Sequence, residues 1–429
     1  MKSLIGISLV LLGAIATLLL LPGPLEGHRG VTAIEGVRVF DGERVIEDAT
    51  VLIAEGRITG VGADLSVPDG AETIDGEGRT LLPGLIDAHV HAYGSARTDA
   101  LRMGVTTLLD MFRSPADQPM VIRQRQSLDP TNQADLFSAG FLATAEGGHG
   151  TQYGLPVPIP ESPETADEWV AQRLDEGSDY IKIIIEDGSG WGRTLPTLDA
   201  AMVEALVEAA HERGVLAVAH VSTQPAAKMA VRSGVDGLVH LFADAPVDDA
   251  FIAMARDSGV WIVPTTPVLA ASHGQSVPDW LTGGEHAETR ISQQQRTMLS
   301  QSFPGSQMRS ARWPLVLENV RRLHEAGVTL LAGSDAGNPG TAHGPSLHHE
   351  LALLVEAGLT PVEALRAATT LPARAFGLEG RGCLQPGCRA DLVLVDGNPL
   401  EDIRQSVRID AVWKNGARTE RRDEAGDAS

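Results

Sequence analysis

Lysine is nearly missing from this sequence: Lys2, Lys182, Lys228 and Lys414 are the whole set, and every other basic residue is arginine. The bias follows codon composition, yet it makes a lysine inside an apolar run, as at Lys182, a position that needs a reason. Aromatic residues make up only 4% of the chain, which leaves no stacking platform for single-stranded nucleic acid. Positive charge is scarce as well, and a formal charge of -22 repels phosphate backbones, so nucleic acid is not an expected partner. Cysteine is limited to Cys383 and Cys388, on either side of the turn signal Pro386-Gly387. A disulfide and two free thiols both remain open; a two-cysteine zinc site lacks an adjacent third ligand.

Long apolar runs are also rare, with one exception. Leu4 to Leu21 is almost unbroken and ends in Pro22-Gly23-Pro24. Residues 1–27 are therefore read as a signal peptide or an N-terminal membrane anchor. No clear Ala-x-Ala site precedes His28, so cleavage and retention both stay open; without a nearby cysteine a lipoprotein anchor is excluded. The expected location is exported, periplasmic or extracellular, with membrane contact only through that anchor.

Residues 31–79 alternate short β-type runs with turns such as Asp41-Gly42 and Glu55-Gly56, and the texture returns near 381–416. The two ends are expected to form one β-sandwich domain, 31–82 plus 377–420. Between them, residues 83–376 alternate apolar strands with amphipathic helices, the pattern of a (β/α)8 TIM barrel in an α/β protein. Its candidate strands are Thr80 to His89, Val105 to Met111, Leu136 to Thr144, Tyr180 to Ile185, Leu216 to His220, Gly237 to Leu241, Trp261 to Thr265 and Thr329 to Ser334. Helices are expected at Thr197 to Arg213, Pro314 to Ala326 and Pro361 to Phe376, the last opened by Thr360-Pro361. Ala270 to Arg312 is a long insertion, either a solvated loop or a wall of a pocket.

Polar residues with ligand chemistry fall at the C-terminal ends of these strands, where barrels carry active sites. In Asp87-Ala88-His89-Val90-His91, one intervening residue on an extended strand puts both imidazoles on the same side. Val218-Ala219-His220 and Leu238-Val239-His240 each end an apolar run with histidine, and Gly333-Ser334-Asp335 ends another with a carboxylate. Lys182 lies inside Ile181-Lys182-Ile183-Ile184-Ile185, where a bare ammonium is costly. Carboxylation by carbon dioxide to a carbamate would resolve that cost; so would pairing with Asp110 or Glu186.

Pro83-Gly84-Leu85-Ile86-Asp87-Ala88-His89-Val90-His91, Ile181-Lys182, His220, His240 and Gly333-Ser334-Asp335-Ala336-Gly337 together resemble the amidohydrolase superfamily. The similarity is to its imidazolonepropionase-like branch, which includes metal-dependent dipeptidases of prolidase type. It extends to Gly387-Cys388-Arg389-Ala390-Asp391-Leu392-Val393 and Gly397-Asn398-Pro399 in the closing sheet. The resemblance implies two divalent metal ions, with zinc the leading choice: His89, His91 and Asp335 on one, His220 and His240 on the second, and the Lys182 carbamate bridging. It also implies that an activated water attacks the substrate carbonyl while Asp335 serves as proton acceptor and then donor.

Gly147-Gly148-His149-Gly150 follows the third strand, where His149 is a candidate catalytic and substrate-binding group, with Tyr153 close behind. His343, in His343-Gly344, is a further substrate candidate. His348 and His349 suit a helix cap or the orientation of Asp335. His211, His273, His286 and His324 read as surface residues. The acidic pair Glu186 and Asp187 departs from the dipeptidase pattern and points either to a cationic substrate or to a solvated loop. The expected partner is a small-molecule substrate, and the chain is expected to form a homo-oligomer. Amide hydrolysis, of a dipeptide or N-acyl amino acid, leads. Cleavage of a cyclic amide, lactone or other ester, and a binding protein with a vestigial metal site, are the alternatives.

Overall fold

The computed structural model describes residues 30–419, so the expected leader at 1–27 lies outside the described residues. No described helix is long and apolar enough to cross a membrane. The chain first forms β1 (Thr32–Phe40), β2 (Val45–Ala54), β3 (Arg57–Gly62), β4 (Glu72–Asp75) and β5 (Arg79–Pro83). Glu55 and Gly56, both at positive φ, close the β2–β3 hairpin as a two-residue turn whose twist matches the strands. An inner set follows: β6 (Leu85–Val90), β7 (Val105–Asp110), β8 (Asp135–Ser138), β9 (Ile181–Ile185), β10 (Ala217–Val221), β11 (Gly237–Val239) and β12 (Trp261–Val263). The chain then returns to β13 (Leu392–Asp396), β14 (Ile409–Lys414) and β15 (Ala417–Arg418).

The two ends meet in one eight-stranded sheet, ordered β15-β14-β13-β5-β1-β2-β3 with β4 beside β1. The expected sandwich thus takes the form of a single hydrogen-bonded sheet, whose apolar face gathers Ile34, Val51, Leu81, Leu392 and Trp413. The expected strand Thr80 to His89 is broken in two, because Gly84 carries the chain from this sheet into the inner set. A Cβ at Gly84 would lie 2.2 Å from Thr106 Oγ1, so only glycine allows the passage.

Among the inner strands, β6 to β8 form a three-stranded parallel sheet and β9 to β12 a four-stranded one. The strands of both sheets are buried on both faces, as parallel strands covered by helices require. Residues 139–143 link them: Ala143 N donates to Lys182 O at 2.8 Å and Ile184 N to Ala143 O at 2.9 Å. At the opposite edge, 329–335 runs between β12 and β6, with Leu331 N donating to Ile262 O (2.9 Å), Ala88 N to Ala332 O (2.9 Å) and Asp335 N to His89 O (2.8 Å). The expected strand Thr329 to Ser334 is therefore present as a connected segment without regular ladder geometry. The result is a barrel-like α/β core with an added sheet.

Two further expected elements differ. Pro361 to Phe376 divides into helices Pro361–Ala367 and Thr370–Ala375. Carbonyls at the break are taken by the core, since Ala332 N donates to Ala367 O and Ile86 N to Ala368 O, both at 2.7 Å. The insertion is not an open loop: it contains helices Asp279–Thr282, Glu285–Arg290, Gln293–Leu299 and Ser306–Arg309. It is held to the core by Gln295 Nε2 donating to His343 O (2.7 Å) and Gly340 N to Met298 O (3.0 Å). Cys383 and Cys388 form a disulfide in the loop before β13.

Candidate metal centre

The inner strands deliver their polar ends to one rim. His89 closes β6 with His91 just beyond it, Lys182 lies in β9, His220 in β10, His240 directly after β11, and Asp335 after the 329–334 segment. All six line one cavity of about 330 Å³. Asp335 Oδ1 lies 3.3 Å from His89 Nε2 and 3.2 Å from His91 Nε2, and Oδ2 lies 3.9 Å from His240 Nδ1. The His240 ring is centred 4.7 Å from that of His89 and 4.6 Å from that of His220.

These donors suit a cation. Within the cluster, His89 Nδ1 and Nε2, Lys182 Nζ, His220 Nε2 and Asp335 Oδ1 are buried without a hydrogen-bond partner among the described residues. Unmet buried polar atoms of this kind are rare in native proteins and call for an ion or another ligand. Burial, reinforced by the charge of Lys182, pushes the His89 and His220 imidazoles down to about 3, and burial holds His240 well below its usual value. Their lone pairs are free to bind. Burial opposes ionisation of Asp335, but His89, His91 and His240 hold its carboxyl well below the usual range. Burial also brings the Lys182 ammonium down to about 7. His89, His91 and Asp335 form the tightest group, with ligand atoms within 4.8 Å of one another.

The backbone is bent to place them. His240, Thr265 and Asp335 all have positive φ (68°, 52° and 52°), a region that non-glycine residues avoid and that clusters at functional sites. Thr265 Oγ1 lies 2.7 Å from His240 Nδ1. Buried Asp87 ties the two ligand-bearing segments together by accepting from Ser334 N (2.9 Å), Ser334 Oγ (2.5 Å) and His89 N (3.3 Å). The amidohydrolase family model matches residues 80–419.

The chain belongs to the amidohydrolase family. It is a hydrolase of that superfamily, similar to imidazolonepropionase of Rhodococcus jostii (strain RHA1), with 25% identity over 417 residues covering 87% of this chain and 88% of that protein. It is also similar to ochratoxinase of Aspergillus niger, 24% identical over 440 residues, which cover 88% of this chain and 83% of that protein. Among solved structures, a prolidase complexed with N-methylphosphonate-L-proline superposes with a TM-score of 0.72 at 25% identity, covering 91% of this chain and 100% of the other. A Xaa-Pro dipeptidase with bound methionine matches in fold, with a TM-score of 0.72 at 24% identity and the same coverage.

In this amidohydrolase His149 also lines the cavity, its ring centred 4.8 Å from that of His220. Burial and the His220 charge push it down to about 3. Gln152 Nε2 donates to its Nδ1 at 3.1 Å, and Gln152 Oε1 accepts from Gly150 N, which leaves the His149 proton on Nε2. Tyr153 lines the cavity but is half exposed. His343 is not a cavity residue: Nε2 bonds to His91 O at 3.0 Å, beneath the ligand, where the helix Pro345–Glu356 begins. His348 and His349 are buried on that helix. His211 and His324 are paired with Asp236 and Glu363 near the surface, as expected of outer positions. His273 is a correction, being buried and part of the cavity wall because the insertion folds over it; His286 is half-buried. Lys182 pairs with neither Asp110 nor Glu186 among the described residues. Neither member of the acidic pair lines the cavity: Glu186 is buried behind His220, accepting from Gly188 N with its other oxygen 3.4 Å from His220 Nε2, while Asp187 binds Ser189.

Sequence reasoning missed Thr265, Trp191, Arg193, Arg309 and Arg312. Trp191 stood between Gly190 and Gly192, a glycine-framed aromatic that was a usable signal. The arginines carried none, because their placement depends on the fold of the insertion and the β9 exit loop.

Proposed function

We propose that this amidohydrolase cleaves an amide bond of a small molecule with a binuclear divalent metal centre at the rim of a closed (β/α)8 barrel. His89, His91 and Asp335 would hold one cation, His220 and His240 the other, and Lys182 as its carbamate would lie between them. The observation that carries this reading is the set of buried nitrogen and oxygen atoms without hydrogen-bond partners, gathered from separate strand ends on one cavity. A nitrogen and oxygen donor set suits zinc. The carbamate is supported by the unpartnered Lys182 Nζ: carbon dioxide adds to the neutral amine with loss of one proton, replacing a stranded cation with an anion.

When bound, such cations lower the pKa of an attacking water and polarise the carbonyl it attacks. Asp335, kept ionised by the surrounding imidazoles, takes the proton of that water and returns it to the leaving nitrogen. His149, neutral with its proton on Nε2, donates a hydrogen bond to the substrate carbonyl oxygen as negative charge develops there. The likeness to a prolidase supports an amide as the bond cleaved, and the likeness to imidazolonepropionase keeps cyclic amides in view. The Cys383–Cys388 disulfide supports an exported enzyme.

A screen of the zinc-replete enzyme against N-acyl amino acids, dipeptides, cyclic amides and lactones tests the reading, with metal content measured in parallel. Turnover is expected on an amide, abolished in Asp335→Ala and His220→Ala, with less bound metal in the latter. Full turnover in Asp335→Ala would overturn it.

A further inference from the structure

The cavity above the metal cluster is unevenly built. On one side Phe112, Leu142 and Ile184 pack together beneath Tyr153 and Trp191, an apolar and aromatic wall that continues to the ring of His149. The lining also carries cations. Arg193 comes from the loop after β9, and Arg309 and Arg312 come from the end of the insertion, beside His273.

In a protein with a net charge of -22, many arginines outside the cavity have carboxylate partners, among them Arg44, Arg113, Arg213, Arg321, Arg374 and Arg408. The side chains of Arg193 and Arg312 are exposed and have no hydrogen bond or ion pair with another described residue. Arg309 spends Nε on Ser272 O at 2.9 Å, which fixes it to the wall, and has no carboxylate partner among the described residues. Among the described residues, the acids in the lining are Asp335, within the metal cluster, and Asp244, which accepts from Gln224 N. Glu186 and Asp187, the reason to consider a cationic substrate, are not among the lining residues; the free oxygen of Glu186 is turned to His220 Nε2 at 3.4 Å.

We infer that Arg312, aided by Arg193 and Arg309, receives the carboxylate of an N-acyl amino acid whose apolar acyl group lies against Trp191 and Tyr153. The inference rests on the proposed amide hydrolysis and adds its specificity determinant. Guanidinium forks bind carboxylates bidentately, so unpaired arginines at the rim of a small cavity select an anion by charge and by shape. The cavity volume of about 330 Å³ suits one small substrate. The insertion is therefore a selectivity element, attached to the core by its own hydrogen bonds and presenting its cations from the start of helix Trp313–Glu325.

The test compares N-benzoyl-phenylalanine with N-benzoyl-phenethylamine, which has the same scissile amide and no carboxylate. In the zinc-replete wild type, kcat/KM is expected to be about tenfold or more higher for the acid. Arg312→Gln should bring the ratio toward one, and Arg312→Glu below it. Equal cleavage of both compounds by the wild type would overturn the inference while leaving amide hydrolysis intact. If neither is cleaved, calorimetry on the zinc-replete wild type decides, using ketomethylene analogues of the two compounds in which CH2 replaces the scissile NH. Binding of the anion alone, weakened in Arg312→Gln, supports the arginine site, and equal binding or none of either rejects it.

Discussion

At the scale of single residues, the centre depends on groups that never touch a metal or substrate. Thr265 is β-branched yet sits at φ 52°, a conformation costing roughly 1–3 kcal/mol. Its neighbour Thr266 is held by buried Glu350, whose carboxylate accepts from the Thr266 amide and hydroxyl. The strained residue is thereby fixed with its hydroxyl on His240 Nδ1. A hydrogen bond to the remaining ring nitrogen sets the orientation and tautomer of a metal-binding histidine. Thr265→Val keeps the shape and removes the hydroxyl, so zinc affinity measured by chelator competition should fall about 10- to 100-fold, with Thr265→Ser near wild type. Equal affinity in all three would dismiss the role. At Lys182 the prediction is kinetic: metal reconstitution without bicarbonate should recover activity more slowly than with it. Recovery independent of bicarbonate would leave Lys182 a plain amine.

At the scale of elements, helix Pro345–Glu356 joins the ligand rim to the terminal sheet region through His348. Its Nδ1 accepts from Ser406 Oγ and its Nε2 donates to Met103 O, both at 2.9 Å, so the neutral ring satisfies both partners. Burial pushes this imidazole from 6.5 down to about 4. Between those values the unfolded chain binds a proton that the folded one refuses, so stability is lost as pH falls from about 6.5 and the loss levels off below about 4. Denaturant midpoints of wild type and His348→Gln across that range should show the wild type losing about 1.4 kcal/mol per pH unit more than the variant. Parallel curves would refute it. Elements like this one mark where the sequence was legible. Strand ends at His89, His220 and His240 could be read because each is a local apolar run stopped by a polar residue. The break between Pro361–Ala367 and Thr370–Ala375 could not, since it arises when Ile86 and Ala332 take its carbonyls from across the fold. The burial of His273 was hidden for the same reason: only the folded insertion covers it.

At the scale of the whole molecule, the terminal sheet is fastened to the core by buried charge. Lys414, at the end of β14, is fully buried with Nζ 2.7 Å from Asp391 and 3.0 Å from Asp135 at the start of β8. Arg381 adds a second cation on Asp135 at 2.7 Å. Burial works against the Asp135 carboxylate, but Lys414 and Arg381 hold it below its usual range. Removing Lys414 leaves the buried Asp391 carboxylate with the Asn415 amide at 2.8 Å and, among the described residues, Arg389 at 3.8 Å as its remaining cation. Lys414→Met should therefore destabilise the protein by about 3–5 kcal/mol, and adding Asp391→Asn should recover a large part of that loss. Because Asp135 belongs to the inner sheet and Lys414 to the outer one, calorimetry should give a single transition that moves as a unit. Two transitions, with only the lower one shifted by Lys414→Met, would mean that the sheet and the core unfold independently and that this contact does not couple them.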